Sequence, residues 1–282
     1  MADFCFLMVV SPKDDPVKLQ RCIKSLVSQS INVKQIIIVV NGLLPTPLNQ
    51  ILDKVKEESS VQLFKSEKTL SLGLALNLGF KNVSTEWILR IDPDDISLID
   101  RVKYAAAHVE SSNFDLAFFP NYEIGDRNEP IFKRVLPKDF SVEKFLFFNP
   151  VVHSTALIRT ISLKEVGGYK NIFLAEDYEL WLRFILNKKQ IKFLPDFTII
   201  YDTEGLVKRR RSFKTIVGEK EILLIKNKIR TSNRVLNYLV FLLRIAYRIS
   251  PPSLISFFYA KFISRRLEVE DPIEKSLIEE YL

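Results

Sequence analysis

Three aspartates, Asp92, Asp94 and Asp95, close an apolar run in "LRIDPDDISL", and an acidic pair, Glu176 and Asp177, opens a second hydrophobic stretch in "AEDYELWLRF". Carboxylates a few ångströms apart repel and raise each other's pKa unless something positive sits among them. Mg²⁺ or Mn²⁺ is such a partner: it takes one or two carboxylates and fills its octahedron with phosphate oxygens and water. In an extended Asp-x-Asp both side chains fall on one side, so Asp92 could hold a ligand hydroxyl while Asp94 reaches the metal. The same residues also suit a strand that simply ends at Asp92 and a helix capped by Asp95. Glu176 and Asp177, likewise, suit the positive end of a helix dipole.

The elements that position these residues are legible from hydrophobic periodicity. Residues 4–10, 35–40, 61–64 and 86–91 are short apolar runs of strand length. Helical patterns separate them: from Asp15-Pro16, a cap and first-turn proline, with Leu19, Ile23, Leu26 and Val27 on one side; from Thr46-Pro47 to about residue 56; and over 72–82. Alternating strands and helices imply a parallel sheet covered on both faces, with ligands bound beyond the carboxyl ends of the strands. Asn41 and the Asp92 cluster then share one rim. A helix over about 98–112 and a strand at 115–119 follow, and the pattern loosens through 121–149. "HSTALI" from His153 has strand character, Gly167-Gly168 ends a short helix, and 176–187 is helical. From Phe213 onward the pattern is helical only, broken at Pro251-Pro252.

At 282 residues, with 47% hydrophobic and 27% charged residues, the chain has ordinary globular composition and can bury a full core. The N-terminus lacks the basic region and cleavage site of a secretory signal, so a cytoplasmic location is expected. Cys5 and Cys22 belong to no CxxC pair or Cys/His cluster, and His153 has only the distant His108 for company, which excludes zinc and histidine-triad readings. The net charge of +7 is concentrated late: from Lys208 to Arg266 basic residues recur against only Glu219 and Glu221. Such a segment seeks phosphate, a polyanion or an anionic membrane surface. No zinc finger, RNP-like or helix-turn-helix signature accompanies it, which argues against nucleic acid.

"LGLALNLGFKNVSTEWILRIDPDDISLIDR", "NPVVHSTALI", "VGGY" and "EDYELWLRF", in that order, resemble the family-2 glycosyltransferases of the GT-A fold, particularly the bacterial enzymes that build O-antigens, capsules and exopolysaccharides. The resemblance runs from about Phe4 to Trp181 and more loosely to Arg209. It implies a Rossmann-like, mostly parallel sheet flanked by helices. A GT-A catalytic domain would span 1–205, its donor-binding half about 1–100 and its acceptor-binding half about 101–205, with a basic, amphipathic helical C-terminal extension at 206–282. It implies transfer from a nucleotide-diphosphate sugar with Mg²⁺ or Mn²⁺ to a saccharide or polyprenyl-diphosphate-linked acceptor. Asp92 then matches the ribose- and metal-side carboxylate, Asp94 the metal ligand, and Asp95 a supporting residue. Asp177 matches the general base and Glu176 its companion, while Trp181, one turn later, and His153 would line the acceptor pocket. Arg209, Arg210 and Arg211 match a basic loop over the donor phosphates, and Arg90 or Arg101 either reach phosphate or neutralise the aspartates. A single base acting opposite the leaving group would invert the anomeric carbon.

The chain departs from the family pattern at Asn41, where a carboxylate usually grips the pyrimidine N–H, and at Thr69, Ser71 and Leu74. Asparagine can still accept that bond through its amide oxygen. Two rival functions use the same residues: a Mg²⁺-dependent nucleotidyl- or phosphoryl-transfer enzyme, which has no need of Asp177 as a base, and a non-catalytic scaffold in a polysaccharide assembly complex. In the tail, "RVLNYLVFLLRIAYRISPPSLISFFYAKFISRR" mixes apolar and aromatic residues with arginines, and no window is long and uncharged enough to span a bilayer. It suits helices lying in a membrane interface, packed on the catalytic domain, or joining two copies in a homodimer.

Overall fold

The computed structural model describes residues 2–125, 131–204, 215–229, 232–250 and 266–282. Strand β1 (Phe4–Val10) is buried throughout, and its residues divide between two cores. Cys5, Leu7 and Val9 face one side of the sheet and Phe6, Met8 and Val10 the other, as the period of a pleated strand dictates. Helix α1 (Pro16–Val27) starts as its sequence requires: Asp15 accepts from the Val17 and Lys18 amides at 2.8 and 3.0 Å, and Pro16 sits where an N–H would have no partner. Leu19, Ile23 and Leu26 are buried, whereas Val27 lies outside the expected stripe and is 38% exposed.

There follow β2 (Gln35–Asn41), α2 (Thr46–Val55), β3 (Val61–Ser66), α3 (Leu72–Phe80), β4 (Trp87–Arg90), β5 (Ile96–Ser97), α4 (Arg101–Ser111) and β6 (Leu116–Phe118). Helix α4 begins later than residue 98 because Ile96 and Ser97 pair with another strand. The stretch that looked loose holds β7 (Asn121–Ile124), β8 (Phe132–Arg134) and α5 (Val142–Phe147). Asn121 and Glu123 are buried polar residues, so β7, four residues long, does not read as a buried apolar run. His153–Thr155 form a single 3-10 turn rather than the start of a strand, and β9 (Ala156–Arg159) begins after it. The rest comprises α6 (Thr160–Glu165), α7 (Glu176–Leu186), β10 (Ile191–Phe193), β11 (Ile199–Asp202), α8 (Thr215–Lys226), α9 (Arg234–Ile249), β12 (Arg266–Glu268) and α10 (Pro272–Glu279). Gly167 and Gly168 terminate α6 at φ of 87° and 65°, a left-handed backbone that glycine adopts without strain.

The main sheet has seven strands in the order β10-β6-β9-β4-β1-β2-β3. Strands β4, β1, β2 and β3 are mutually parallel, β6 pairs parallel with β10, and β9 runs antiparallel to both its neighbours. Helices α1, α2 and α4 cover one face; α3, α5, α7 and α8 contribute to the core on the other. A smaller sheet, β12-β8-β7-β11-β5, stands beside it. The expectation of helices alone after residue 213 is corrected by β12, which pairs antiparallel with β8. Its neighbour α10 is tied back as well, for the Tyr122 hydroxyl meets Glu274 at 2.6 Å.

Candidate active site

Parallel strands place their carboxyl ends on a common rim, and here the ends of β1, β2 and β4 open on a cavity of about 480 Å³. Ser11 and Asp14 follow β1, Asn41 ends β2, and Asp92, Pro93 and Asp94 follow β4. The cavity is also lined by residues of other segments, among them Phe148, Asn149 and His153 on one, Ala175, Glu176 and Asp177 on another, and Tyr201, Glu219 and Arg244.

The acidic rim is held from beneath. Arg90 is wholly buried behind Asp92 and donates from Nη2 to the Asp92 carboxylate. Burial opposes its charge, and Asp92 restores it. Of the two roles open to Arg90, its placement matches neutralising the aspartates: it sits off the cavity wall and acts on Asp92, with Nε and Nη1 buried and without a protein partner. Arg101 is also buried, donating to the backbone oxygens of Arg90 at 2.9 Å and Ser154 at 2.7 Å, so its role is to brace the strand end. Asp95 faces away from the cavity, accepting from the Ser154 hydroxyl and from the Asp202 amide at 3.0 Å. Burial, reinforced by Asp94 and Asp92, pushes its carboxyl well above the usual range.

Asp14 accepts from the Ser11 amide at 2.6 Å, and burial, with Asp94 and Asp92 nearby, pushes it up to about 6. The rim therefore attracts positive charge. Among the described residues no group of three or more His, Cys, Asp or Glu side chains is gathered to hold a metal. Two carboxylates on an open wall fit an ion of the Mg²⁺ or Mn²⁺ type, which draws its other ligands from a bound diphosphate and water.

Asp177, also on the cavity lining, accepts from the Asn149 side-chain amide at 2.9 Å and from the Tyr178 backbone amide at 2.7 Å. Glu176 is buried, and burial followed by the Asp177 charge pushes it up to about 8, which favours its protonated form. The first turn of α7 is fixed from behind by Glu179, whose carboxylate takes two bonds from Arg183 Nε at 2.9 Å. Arg183 in turn donates to the Gly168 carbonyl at 2.6 Å.

Trp181 does not line the cavity. It is wholly buried, edge-on to Phe118 at 4.9 Å and to His153 at 5.8 Å, because only the first turn of α7 reaches the opening and the next turn descends into the core. His153 is on the wall, but its Nε2 is engaged with the Tyr169 hydroxyl at 3.0 Å. Burial, then the Arg90 charge, lowers its pKa well below the ordinary histidine value, so the ring is neutral. Asn41 is also on the wall, its amide spent on Leu70: Nδ2 donates to the carbonyl at 3.0 Å and Oδ1 accepts from the amide at 2.8 Å. One lone pair of Oδ1 remains for a ligand. Arg209, Arg210 and Arg211 lie outside the described residues.

Sequence reasoning missed Asp14, Asn149, Glu219 and Arg244. Asp14 was detectable as a carboxylate just past the end of β1, and Asn149 as the polar residue of "NPVVH". Glu219 and Arg244 sit on separate helices of the basic tail, and nothing in their spacing foretells that Arg244 Nη2 meets the buried Glu219 carboxylate at 2.9 Å.

A sheet with helices on both faces and a carboxylate-rimmed cavity beyond its strand ends is the architecture of a GT-A transferase. Staphylococcus aureus TarS residues 1–349, solved in complex with UDP-GlcNAc, superimposes with a TM-score of 0.69 at 15% identity, covering 99% of this chain and 79% of that one. The protein belongs to glycosyl transferase family 2, whose model matches residues 13–166, and it is a glycosyltransferase. Relatives of nearly the same length include the Erwinia amylovora amylovoran biosynthesis glycosyltransferase AmsE, 26% identical over 92% of this chain and 98% of its own. Another is the Escherichia coli UDP-Gal:alpha-D-GlcNAc-diphosphoundecaprenol beta-1,3-galactosyltransferase, 26% identical over 94% and 98%.

Proposed function

We propose that the protein transfers a sugar from a nucleotide-diphosphate sugar to a hydroxyl of a saccharide or lipid-linked saccharide, with inversion, in surface-polysaccharide assembly. The observation that carries this reading is that Asp92, Asp94 and Asp177 line one cavity. The names of the relatives support the setting: one belongs to amylovoran biosynthesis, one uses a diphosphoundecaprenol-linked acceptor, and TarS was solved with a UDP-sugar.

Asp92 and Asp94 would hold the divalent cation, which when bound supplies positive charge against that growing on the leaving diphosphate. Arg90 fixes the direction of Asp92 by its buried hydrogen bond. Asp177, oriented by Asn149, takes the proton of the attacking hydroxyl while the bond from that oxygen to the anomeric carbon forms. The anomeric bond to phosphate breaks, and the nucleoside diphosphate leaves with its electron pair. A base across the cavity from the diphosphate delivers the acceptor to the face opposite the leaving group, which inverts the centre. Glu176, still protonated, presents no second charge to the incoming hydroxyl.

The test is a panel of UDP-, GDP- and dTDP-sugars with Mn²⁺, Mg²⁺ or EDTA, read by nucleotide release and thermal shift. One donor is expected to raise the melting temperature and release its nucleotide only with metal. Asp94→Asn is expected to cut release by about 10²–10³-fold. Failure of every donor to bind would overturn the reading.

A further inference from the structure

A surface helix in water ordinarily turns its apolar stripe inward and its polar residues outward. Helix α9 does the reverse. At 3.6 residues per turn, Val235, Leu236, Tyr238, Leu239, Leu242 and Leu243 fall within one arc, and all are exposed, from 39% at Leu236 to 71% at Val235. The opposite side carries the polar anchors. Asn237 is buried and donates to Asn227 Oδ1 at 2.8 Å, and Arg244 holds both oxygens of the buried Glu219 carboxylate. These bonds set the rotation of the helix: rolling the apolar arc inward would break both Arg244 bonds to the buried Glu219 carboxylate.

We infer that this face of α9 rests on an anionic lipid bilayer, with the helix lying along the surface. Its 16 residues reach about 24 Å at 1.5 Å each, short of a hydrocarbon core of about 30 Å, and no helix among the described residues is long and apolar enough to cross a membrane. The charge selects the partner. Arg234 at the start of α9, Lys220 on α8 and Lys228 in the turn between the two helices are exposed, as are the α8 apolar residues Val217 and Leu224. Of the two acidic residues between 208 and 266, Glu219 is buried beneath Arg244. A second copy would present the same basic surface and repel; anionic headgroups complement it, and leucines and a tyrosine suit the interfacial layer. The same helix reaches the catalytic cavity, since Arg244 lines it from the inward side. A lipid-linked acceptor could thus keep its tail in the bilayer on one side of α9 and its reactive end in the cavity on the other. This last step rests on the proposed transfer; the membrane contact does not.

The experiment is co-sedimentation of the full-length protein with phosphatidylcholine vesicles, with and without about a third phosphatidylglycerol, at low and high salt. The wild type is expected to bind the anionic vesicles and to release as salt rises. Leu239→Glu with Leu242→Glu is expected to weaken binding at least about tenfold while metal-dependent nucleotide release in solution is unchanged. Should those charges compromise folding, Leu243→Trp serves instead. Trp87 and Trp181 are both buried, so a blue shift of the introduced indole on anionic vesicles reports its insertion. Equal partition of wild type and double variant, no emission shift, or a dimer in vesicle-free solution that the double variant dissociates would overturn the inference. Loss of nucleotide release in the wild type, with vesicle binding intact, would instead count against the catalytic reading alone.

Discussion

Asp177→Asn is the substitution that separates chemistry from binding in this cavity. Asparagine keeps the volume of the side chain and an oxygen for the Asn149 amide, but it cannot take a proton. Loss of a positioned general base lowers kcat by about 10²–10⁴-fold, or about 2.7–5.5 kcal/mol of transition-state stabilisation. With the donor held at Asp92 and Asp94 as proposed, calorimetric titration with the sugar nucleotide and Mn²⁺ is expected to give a Kd within about twofold of wild type. The variant carries an internal check. After burial, the Asp177 charge is the largest influence raising Glu176, so its removal is expected to bring the Glu176 midpoint down from about 8 in a ¹³C carboxyl titration. The assay is single-turnover sugar transfer alongside the titrations. A kcat above about a tenth of wild type, with Kd preserved and the Glu176 midpoint lowered, would refute Asp177 as the base and favour phosphoryl or nucleotidyl transfer at Asp92 and Asp94.

Two further outcomes follow from burial. The folded-state pKa of Glu176 is raised, from 4.5 to about 8, so the folded chain holds a proton that the unfolded chain has lost, and stability falls as pH rises through that window. Urea denaturation of Glu176→Gln is expected to show a decline between pH 6 and 8 that is smaller than wild type by about 2 kcal/mol, and matching slopes would refute it. Trp181→Phe is expected to lower stability by about 1–3 kcal/mol through the void left in the core, with acceptor KM within about twofold; a large KM rise without loss of stability would return Trp181 to the binding surface.

The parallel half of the molecule was legible because its central strands are buried on both faces and read as apolar runs: "FCFLMVV" and "QIIIVVN" are 7-residue strands buried at every position. From these, the rim that gathers Asn41, Asp92 and Asp94 follows by topology. The acceptor-side half was harder to read. Its small sheet is built from strands of two to four residues, such as β7 with its buried Asn121 and Glu123, and depends on partners far apart in sequence. Trp181 shows where helical spacing misleads: the step from Asp177 placed both on one face, but that face passes from the cavity into the core within a single turn. Arg90 stayed open between two roles, because an arginine beside an aspartate in sequence gives no sign of whether it lies in front of the carboxylate or behind it.

Asp95 is the member of the acidic cluster that touches nothing in the cavity, yet it clasps Ser154 and the Asp202 backbone together. Asp202 in turn holds Lys18 of α1 at 2.7 Å. A scan scored by turnover alone would rank position 95 beside 92 and 94 and mistake a rivet for a tool. Substrate affinities measured on the surviving folded fraction would tell them apart, because a loosened frame weakens every ligand together, whereas a lost metal ligand spares those that bind without the ion.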